Sequence, residues 1–197
     1  LLQPKFEGSH VAKADLTPAH CASIGAHLAR FHVAGENFYL RRQAHRGVFW
    51  WRRESQNIAR FLTEEDNALL KSEVALFDEL REQPWGLPMG VVHGDLFHDN
   101  ALFIGDEVSA ILDVYNAATA FLLFDFAIVA NDWCTRADGS VDPERESARS
   151  TEINPYVHSI DSVFCNQRRD EQVLRQMRYF FVLPPLIPKP MSFAILD

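Results

Sequence analysis

The segment His93–Asn100 constrains the fold more than any other part of the sequence, because it is a polar octapeptide set between apolar runs. Two valines precede it, and the apolar run 101–104 follows it directly. A second apolar run, 108–112, is separated from the first by a Gly-Asp pair, which is typical of a tight hairpin turn. We therefore expect a polar loop between short strands, followed by a β-hairpin that ends at Asp113.

The octapeptide fits the spacing His-x-Asp-x-x-x-x-Asn, which is typical of the catalytic loop of kinases. In that chemistry an aspartate, here Asp95, lies at the acceptor hydroxyl and accepts its proton. An asparagine five residues later, Asn100, reaches a magnesium ion on the phosphates, and a second carboxylate completes the metal site. Asp113 follows the second hairpin run, so the hairpin is expected to bring it beside the loop.

The same octapeptide admits a second interpretation, because imidazole and carboxylate groups both bind zinc or a di-metal pair. The ligands would be His93, His98, Asp95 and Asp99, but no third histidine follows at ligand spacing. We expect instead that the ring of His93 bonds to the backbone and supports the loop, and that His98 is a solvated loop residue. Cys134 could suggest a thiol nucleophile, but a cysteine on an apolar helix is usually a small core residue.

Asp125 interrupts the apolar stretch 121–134, which is predicted to be a buried helix. A buried carboxylate without partners is costly, so we expect it to bond the backbone amides of the catalytic loop or His93. The alternative is that it faces solvent. The residues 131–134 end this helix and could edge a substrate site, although Trp133 could instead only close the core.

Helical patterns dominate the preceding part of the chain. Thr17 and Pro18 are typical of a helix start, and Gly35 ends the pattern. His32 near that end is expected to pack or to cap the helix.

A second helix is predicted to begin at Thr63 and to stop before Pro84, whereas the stretch 41–53 has no period and is predicted to be irregular. The inward positions of this second helix are predicted to be Leu70, Val74, Phe77 and Leu80. The predicted fold class is mostly α with a small β-hairpin.

Composition excludes several kinds of protein. The 197 residues carry 19 Lys and Arg against 27 Asp and Glu, a net charge of -8, which argues against a nucleic-acid partner. The apolar runs are too short for a membrane-spanning helix, so no membrane partner is expected. Three scattered cysteines favour reduced thiols and a cytoplasmic location.

At these motifs the chain resembles the aminoglycoside-phosphotransferase-like kinases, a group that includes choline kinases, and within them the homoserine kinases. The matching segments are 19–21, 28–35, 93–97 with 99–100, 112–115, 124–127 and 131–134. The resemblance implies the C-terminal lobe of a protein-kinase-like α+β fold over residues 1–147. It also implies that the N-terminal ATP-covering lobe is absent and that 148–197 is a divergent helical, proline-rich tail.

The resemblance implies ATP-dependent phosphorylation of the side-chain hydroxyl of L-homoserine, a step of threonine biosynthesis, with Mg2+. By position, Asp95 would be the catalytic base and Asn100 and Asp113 the magnesium ligands. His93 and Asp125 would support the loop. Two alternatives stay open: a catalytically inactive remnant of such a kinase, or a related kinase acting on an amino alcohol or sugar.

Overall fold

The computed structural model describes residues 5–45, 47–82 and 88–149. The chain is mostly helical, as the sequence predicts, and has two small antiparallel sheets, of which the sequence predicts one. In chain order the helices and strands are α1 (Pro18–Gly35), α2 (Val48–Ile58), α3 (Glu64–Glu82), β1 (Met89–Val92), β2 (Ala101–Ile104), β3 (Glu107–Ile111), β4 (Ala118–Phe121) and α4 (Leu123–Trp133). Residues 143–149 are again helical. The predicted tail, 148–197, lies outside the described residues except for its first two.

The predicted hairpin is formed by β2 and β3, which pair antiparallel from Ala101 with Ile111 to Ile104 with Glu107. Its turn contains Gly105 at φ 61°, a left-handed conformation that glycine adopts without strain. On the outer edge of the hairpin, Ser9 forms an antiparallel bridge with Phe103. The segment before α1 is therefore tied to the hairpin.

The second sheet was not predicted. Strand β4 pairs antiparallel with β1, in a register that runs from Met89 opposite Phe121 to Val92 opposite Ala118. The apolar stretch 117–124 gives no clear period, and a short apolar strand cannot be told from the start of a buried helix by periodicity alone. The predicted helix 121–134 consequently starts two residues too early, since α4 begins at Leu123.

Helix α1 begins and ends where the sequence predicts. The Thr17 Oγ1 accepts from the N–H of His20 at 3.3 Å, and the His20 Nδ1 accepts from the N–H of Thr17 at 3.1 Å. This reciprocal cap satisfies two amides that have no partner inside the helix. Histidine thus takes the place that Glu or Gln has in the common form of this cap.

Helix α2 corrects the prediction that 41–53 is irregular, because Val48–Ile58 is helical. The tryptophan-rich sequence hides the period, and a tertiary contact supplies the stabilisation: the rings of Trp51 and Phe77 meet edge to face at 4.7 Å. Helix α3 begins after Thr63, whose hydroxyl accepts from the N–H of Asp66 at 3.1 Å. The inward positions predicted for α3 are half-buried rather than buried at Leu70, Val74 and Phe77, and the side chain of Leu80 lies outside the described ones.

The main apolar core joins α1, the loop 93–100, the hairpin and α4, and none of the side chains described in α2 and α3 belongs to it. Its largest fully buried members are Trp133, Ile24, Leu28, Leu96 and Val129. Within the described residues, no helix has both the length and the apolar character that crossing a membrane requires. Because Leu96 of the octapeptide belongs to this core, the core packs directly behind the loop that carries the octapeptide.

Candidate active site

Eight residues, His93–Asn100, form the loop between β1 and β2. Gly94 has φ 78°, which permits the first bend without strain. The N–H of Phe97 donates to the carbonyl of Asp95 at 2.8 Å, and the N–H of Asn100 donates to the carbonyl of Phe97 at 2.9 Å. Leu96 is fully buried, so it anchors the middle of the loop in the core.

The carboxylate of Asp95 lies among amide donors. The Nδ2 of Asn116 donates to Asp95 Oδ2 at 3.0 Å. The Nδ2 of Asn100 donates to the backbone carbonyl of Asp95 at 2.6 Å and lies 3.5 Å from Oδ2. Asp95 and Asn100 are thus brought together as expected from their spacing, whereas Asn116 was not anticipated. It stands just before the apolar stretch 117–124, and no local pattern connects it to the loop.

The ring of His93 links the loop to the end of the hairpin. The backbone N–H of Asp95 donates to His93 Nδ1 at 3.2 Å. A backbone N–H can only donate, so Nδ1 accepts and the ring proton is on Nε2, which donates to the carbonyl of Leu112 at 2.7 Å. Both ring nitrogens are therefore occupied by backbone groups, and the ring holds the residue before Asp113 against the loop.

Asp125 lies directly behind the loop and has no solvent exposure. Its Oδ2 accepts from the N–H of His93 at 2.7 Å, and its Oδ1 accepts from the N–H of Gly94 at 2.8 Å. The Nε2 of His32, which is also buried, donates to Oδ2 at 2.9 Å. The solvent-facing alternative for Asp125 is thereby excluded. His32 thus bonds this carboxylate and is not a helix cap. The two residues are 93 positions apart, so no local sequence pattern reveals their contact.

One face of α4 supplies several of the contacts behind the loop. Asp125, Asp132 and Trp133 are seven and eight positions apart and share a helix face. Asp132 Oδ2 accepts from the N–H of His98 at 2.7 Å, and Trp133 Nε1 donates to the carbonyl of Leu96 at 2.9 Å. The end of α4 therefore supports the loop 93–100, and Trp133 is a fully buried core residue, which agrees with the prediction that it closes the core.

Asp132 also connects the loop to the segment before α1. Its Oδ2 accepts from His98 Nδ1 at 2.8 Å, so His98 is paired rather than simply solvated. Its Oδ1 accepts from Lys13 Nζ at 3.2 Å. Three separate segments of the chain thus meet at one carboxylate.

Asp113 follows β3 in an unusual backbone conformation. It has φ 56° and ψ 43°, and within the described residues it is the only non-glycine with positive φ. Aspartate tolerates this region better than most residues, and backbone strain of this kind is concentrated at functional sites. The N–H of Leu112 donates to the carbonyl of Asn100 at 2.9 Å, so the residue directly before Asp113 is paired with Asn100. The carboxylate of Asp113 is exposed, and the described part of the chain offers it no recorded hydrogen bond.

The donors present fit a magnesium ion that also binds phosphates. Because the Nδ2 of Asn100 is used by Asp95, its Oδ1 is the atom left for a cation. Magnesium usually takes one or two protein carboxylates together with waters and substrate phosphates, rather than a complete protein cage. One amide oxygen of Asn100 and one exposed carboxylate of Asp113 are a set of this kind. Among the described residues, no group of three or more His, Cys, Asp or Glu side chains could hold a metal ion.

The two rival interpretations are not supported by the geometry. His93 cannot ligate zinc while both ring nitrogens bond to the backbone. The neighbouring Cys21 thiol, together with burial, raises the pKa of Cys134 far above its ordinary value. Cys134 is fully buried in the main core, so it is a core residue rather than an accessible nucleophile.

Comparison with known proteins is consistent with this geometry. Residues 1–158 match the sequence profile of the phosphotransferase enzyme family named APH. The homoserine kinase of Pseudomonas aeruginosa (strain UCBPP-PA14) is 38% identical over 148 residues, which are 75% of this chain and 46% of that protein. The homoserine kinase of Methylobacillus flagellatus is 42% identical over 134 residues, 66% of this chain and 40% of that protein. The chain thus spans less than half the length of these relatives.

Solved structures show the same fold. An amicoumacin kinase, hAmiN, in complex with AMP-PNP, Ca2+ and Ami superposes with a TM-score of 0.58 at 18% identity, over 77% of this chain and 47% of that one. A type VIII aminoglycoside-3'-phosphotransferase superposes with a TM-score of 0.56 at 25% identity, over 80% and 60% respectively. With the profile matching most of its length, the chain belongs to the phosphotransferase enzyme family.

Proposed function

We propose that this chain carries the catalytic residues for ATP-dependent phosphorylation of the side-chain hydroxyl of L-homoserine, which yields O-phospho-L-homoserine for threonine biosynthesis. The observation that carries the proposal is the carboxylate of Asp95, held by Asn116 on a loop that Asp125 supports from behind. The choice of substrate is supported by the relatives named homoserine kinase, which are 38% and 42% identical to the chain.

In the proposed mechanism Asp95 is the catalytic base. It orients the acceptor hydroxyl and takes its proton as the oxygen attacks the γ-phosphorus of ATP, while the bond to the β,γ-bridging oxygen breaks. Such a transfer needs little covalent chemistry from the protein, so its rate depends on how well the base and the acceptor are placed. The rigid support of the loop is therefore directly relevant to the rate.

Asn100 and Asp113 are the residues that would hold magnesium. The ion would neutralise charge on the phosphate oxygens of bound ATP. The contribution of the chain is to set the two oxygen donors at positions on neighbouring backbone segments. The hydrogen bond from Leu112 to Asn100 keeps those positions together, and the ring of His93 holds the carbonyl of Leu112.

The partners that we propose are accordingly two small molecules, ATP and L-homoserine, and the proposed location is the cytoplasm. Threonine biosynthesis from soluble precursors fits both. An amino alcohol or a sugar is the competing class of acceptor, because the hydroxyl chemistry at Asp95 would be the same.

The test is phosphoryl transfer by the purified chain with ATP and Mg2+, followed by 31P NMR of the product. We expect Asp95→Asn to lower turnover of homoserine by about 10²- to 10⁴-fold, because the variant keeps the shape but cannot accept the proton. Asp99→Asn is the matched control on the same loop. Because Asp99 is exposed, the turnover of this variant should stay near that of wild type.

Two outcomes would contradict the proposal in different ways. Equal turnover by wild type and Asp95→Asn, or no magnesium-dependent turnover of any acceptor, would leave the inactive remnant as the interpretation. In a panel of homoserine, choline and an aminoglycoside, preference for choline would overturn the substrate while preserving the phosphotransferase.

A further inference from the structure

Asn116 contacts two consecutive residues of the catalytic loop with two different groups. Its side-chain Nδ2 donates to Asp95 Oδ2 at 3.0 Å. Its backbone carbonyl lies under Gly94, where a Cβ would come within 3.2 Å of the carbonyl oxygen. The absence of a side chain at Gly94 is thus what lets Asn116 approach the loop closely enough for its amide to reach Asp95.

The backbone fixes this approach. Strands β1 and β4 pair antiparallel with Val92 opposite Ala118. Extending this register by two residues beyond the last pair places Gly94 opposite Asn116. Their close contact therefore continues the pairing of the two chain segments. The turn that contains Asn116 is closed by the hydrogen bond from the N–H of Ala117 to the carbonyl of Val114 at 3.0 Å. Asn116 is therefore presented from a fixed backbone.

Asn116 is the nearer of the two amide donors at the carboxylate. Asn100 uses its Nδ2 mainly for the Asp95 backbone carbonyl, at 2.6 Å against 3.5 Å to Oδ2. The other carboxylate oxygen, Oδ1, accepts no recorded hydrogen bond from the described residues. A carboxylate held at one oxygen has its rotation about χ2 restricted, which leaves the second oxygen in a defined direction.

We propose that Asn116 is a positioning residue, whose amide holds Oδ2 of Asp95 so that Oδ1 is the oxygen that accepts the proton of the acceptor hydroxyl. This inference rests on the proposed function, in which Asp95 is the base. In the transfer the hydroxyl O–H bond breaks, its proton passes to Oδ1, the oxygen bonds to the γ-phosphorus of ATP, and ADP leaves. Asn116 exchanges no proton and keeps its donor on Oδ2 throughout.

The kinetic test uses Asn116→Leu, which has similar volume and no donor, and Asn116→Asp, which has the same shape and a like charge. We expect Asn116→Leu to lower kcat by about tenfold to hundredfold with each KM within about twofold, since misplacing a reacting group has costs of this size. Asn116→Asp should lower kcat further, because it adds repulsion at Asp95. Val114→Thr, in the same turn with an exposed side chain, is the control and should match wild type.

A raised KM with unchanged kcat would make Asn116 a substrate-binding residue and overturn the proposal, as would wild-type kinetics in Asn116→Leu. A second readout is independent of turnover. The 15N side-chain amide signal of Asn116, identified by its loss in Asn116→Leu, should shift in Asp95→Ala. An unchanged signal would refute the hydrogen bond. If wild type itself transfers no phosphoryl group, the proposed function fails, and with it the catalytic role of Asn116, while this signal still reports whether the contact exists.

Discussion

The catalytic loop and the α2–α3 pair are stabilised by different kinds of contact. Behind the loop, the contacts are buried or part-buried hydrogen bonds between side chains and the backbone: Asp125 and Asp132 accept from loop amides, and Trp133 donates to a loop carbonyl. Between α2 and α3, the contacts join side chains that are partly exposed: the rings of Trp51 and Phe77, and the ion pair of Arg52 with Asp78. Directional hydrogen bonds from α4 thus support the loop, whereas the helical pair is held by contacts between side chains.

The difference follows from how each region satisfies its backbone. A helix pairs its own amides and carbonyls, so α2 and α3 need only side-chain contacts between them. An irregular loop has no ladder, and each buried amide in it needs an acceptor from elsewhere. Directional contacts of that kind also fix position, which a catalytic loop requires. We therefore expect equivalent substitutions to cost more behind the loop than between the two helices.

The largest expected difference is between two aspartates. Asp125→Ala should lower the free energy of unfolding by about 3–5 kcal/mol, because it leaves two buried loop amides and the buried His32 without their acceptor. Asp78→Ala removes a carboxylate whose partner Arg52 is 40% exposed, and should cost about 1 kcal/mol or less. Urea unfolding of both variants measures the difference. Equal costs would show that the loop is not held more rigidly than the helices.

The loop, the hairpin and the buried acidic residue behind the loop could be predicted from the sequence, but the residues that bond to the two key aspartates could not. The polar octapeptide, the Gly-Asp turn and the apolar stretch around Asp125 predict the loop, the hairpin and a buried acidic residue on α4, because each is a local pattern. The partners His32 and Asn116 lie far along the chain from the residues they contact, at separations of 93 and 21 positions. Only the tertiary fold, which places α1 and β4 beside β1, brings them together.

Two elements were missed for a related reason. Strand β4 is four residues long and has no alternation, and its pairing with β1 decides its structure. Helix α2 is rich in tryptophan and arginine, and its contact with α3 decides its structure. Short or compositionally unusual segments are those in which tertiary contacts override local preference.

The next expected difference is between two tryptophans. Trp133→Phe should cost about 2–3 kcal/mol, because it leaves the Leu96 carbonyl without its donor and leaves a void in the core. Trp51→Phe keeps an aromatic contact with Phe77 at a half-buried position, and should cost about 1 kcal/mol. Thermal and urea unfolding of the two variants would give the two values. A larger cost at Trp51 would reverse the comparison.

Two glycines with positive φ separate strain from close packing. Gly105→Ala in the hairpin turn should lower the free energy of unfolding by about 1 kcal/mol, the cost of a side chain at positive φ, since no atom lies within 4 Å of the new Cβ. Gly94→Ala meets that cost and a contact of 3.2 Å with the carbonyl of Asn116, and should cost about 2 kcal/mol. Gly94→Ala should also displace Asn116 from Asp95 and lower kcat, while Gly105→Ala should not. Equal effects in unfolding and in kcat would mean that the loop accommodates the methyl group.

The smallest expected effect concerns Lys13, which lies in the segment before α1 and contacts Asp132, one of the residues that support the loop. Its ammonium lies 3.2 Å from Asp132 Oδ1 and its side chain is 40% exposed, so the pair is screened by solvent. Lys13→Met, which keeps the aliphatic stem, should cost less than about 1 kcal/mol at low salt and still less in 0.5 M NaCl. Asp132 would still accept from the N–H and the ring of His98, so the loop should remain in place. A cost as large as that of Trp133→Phe would mean that the segment before α1 determines the position of the loop, and that the support is shared between α4 and that segment rather than supplied by α4 alone.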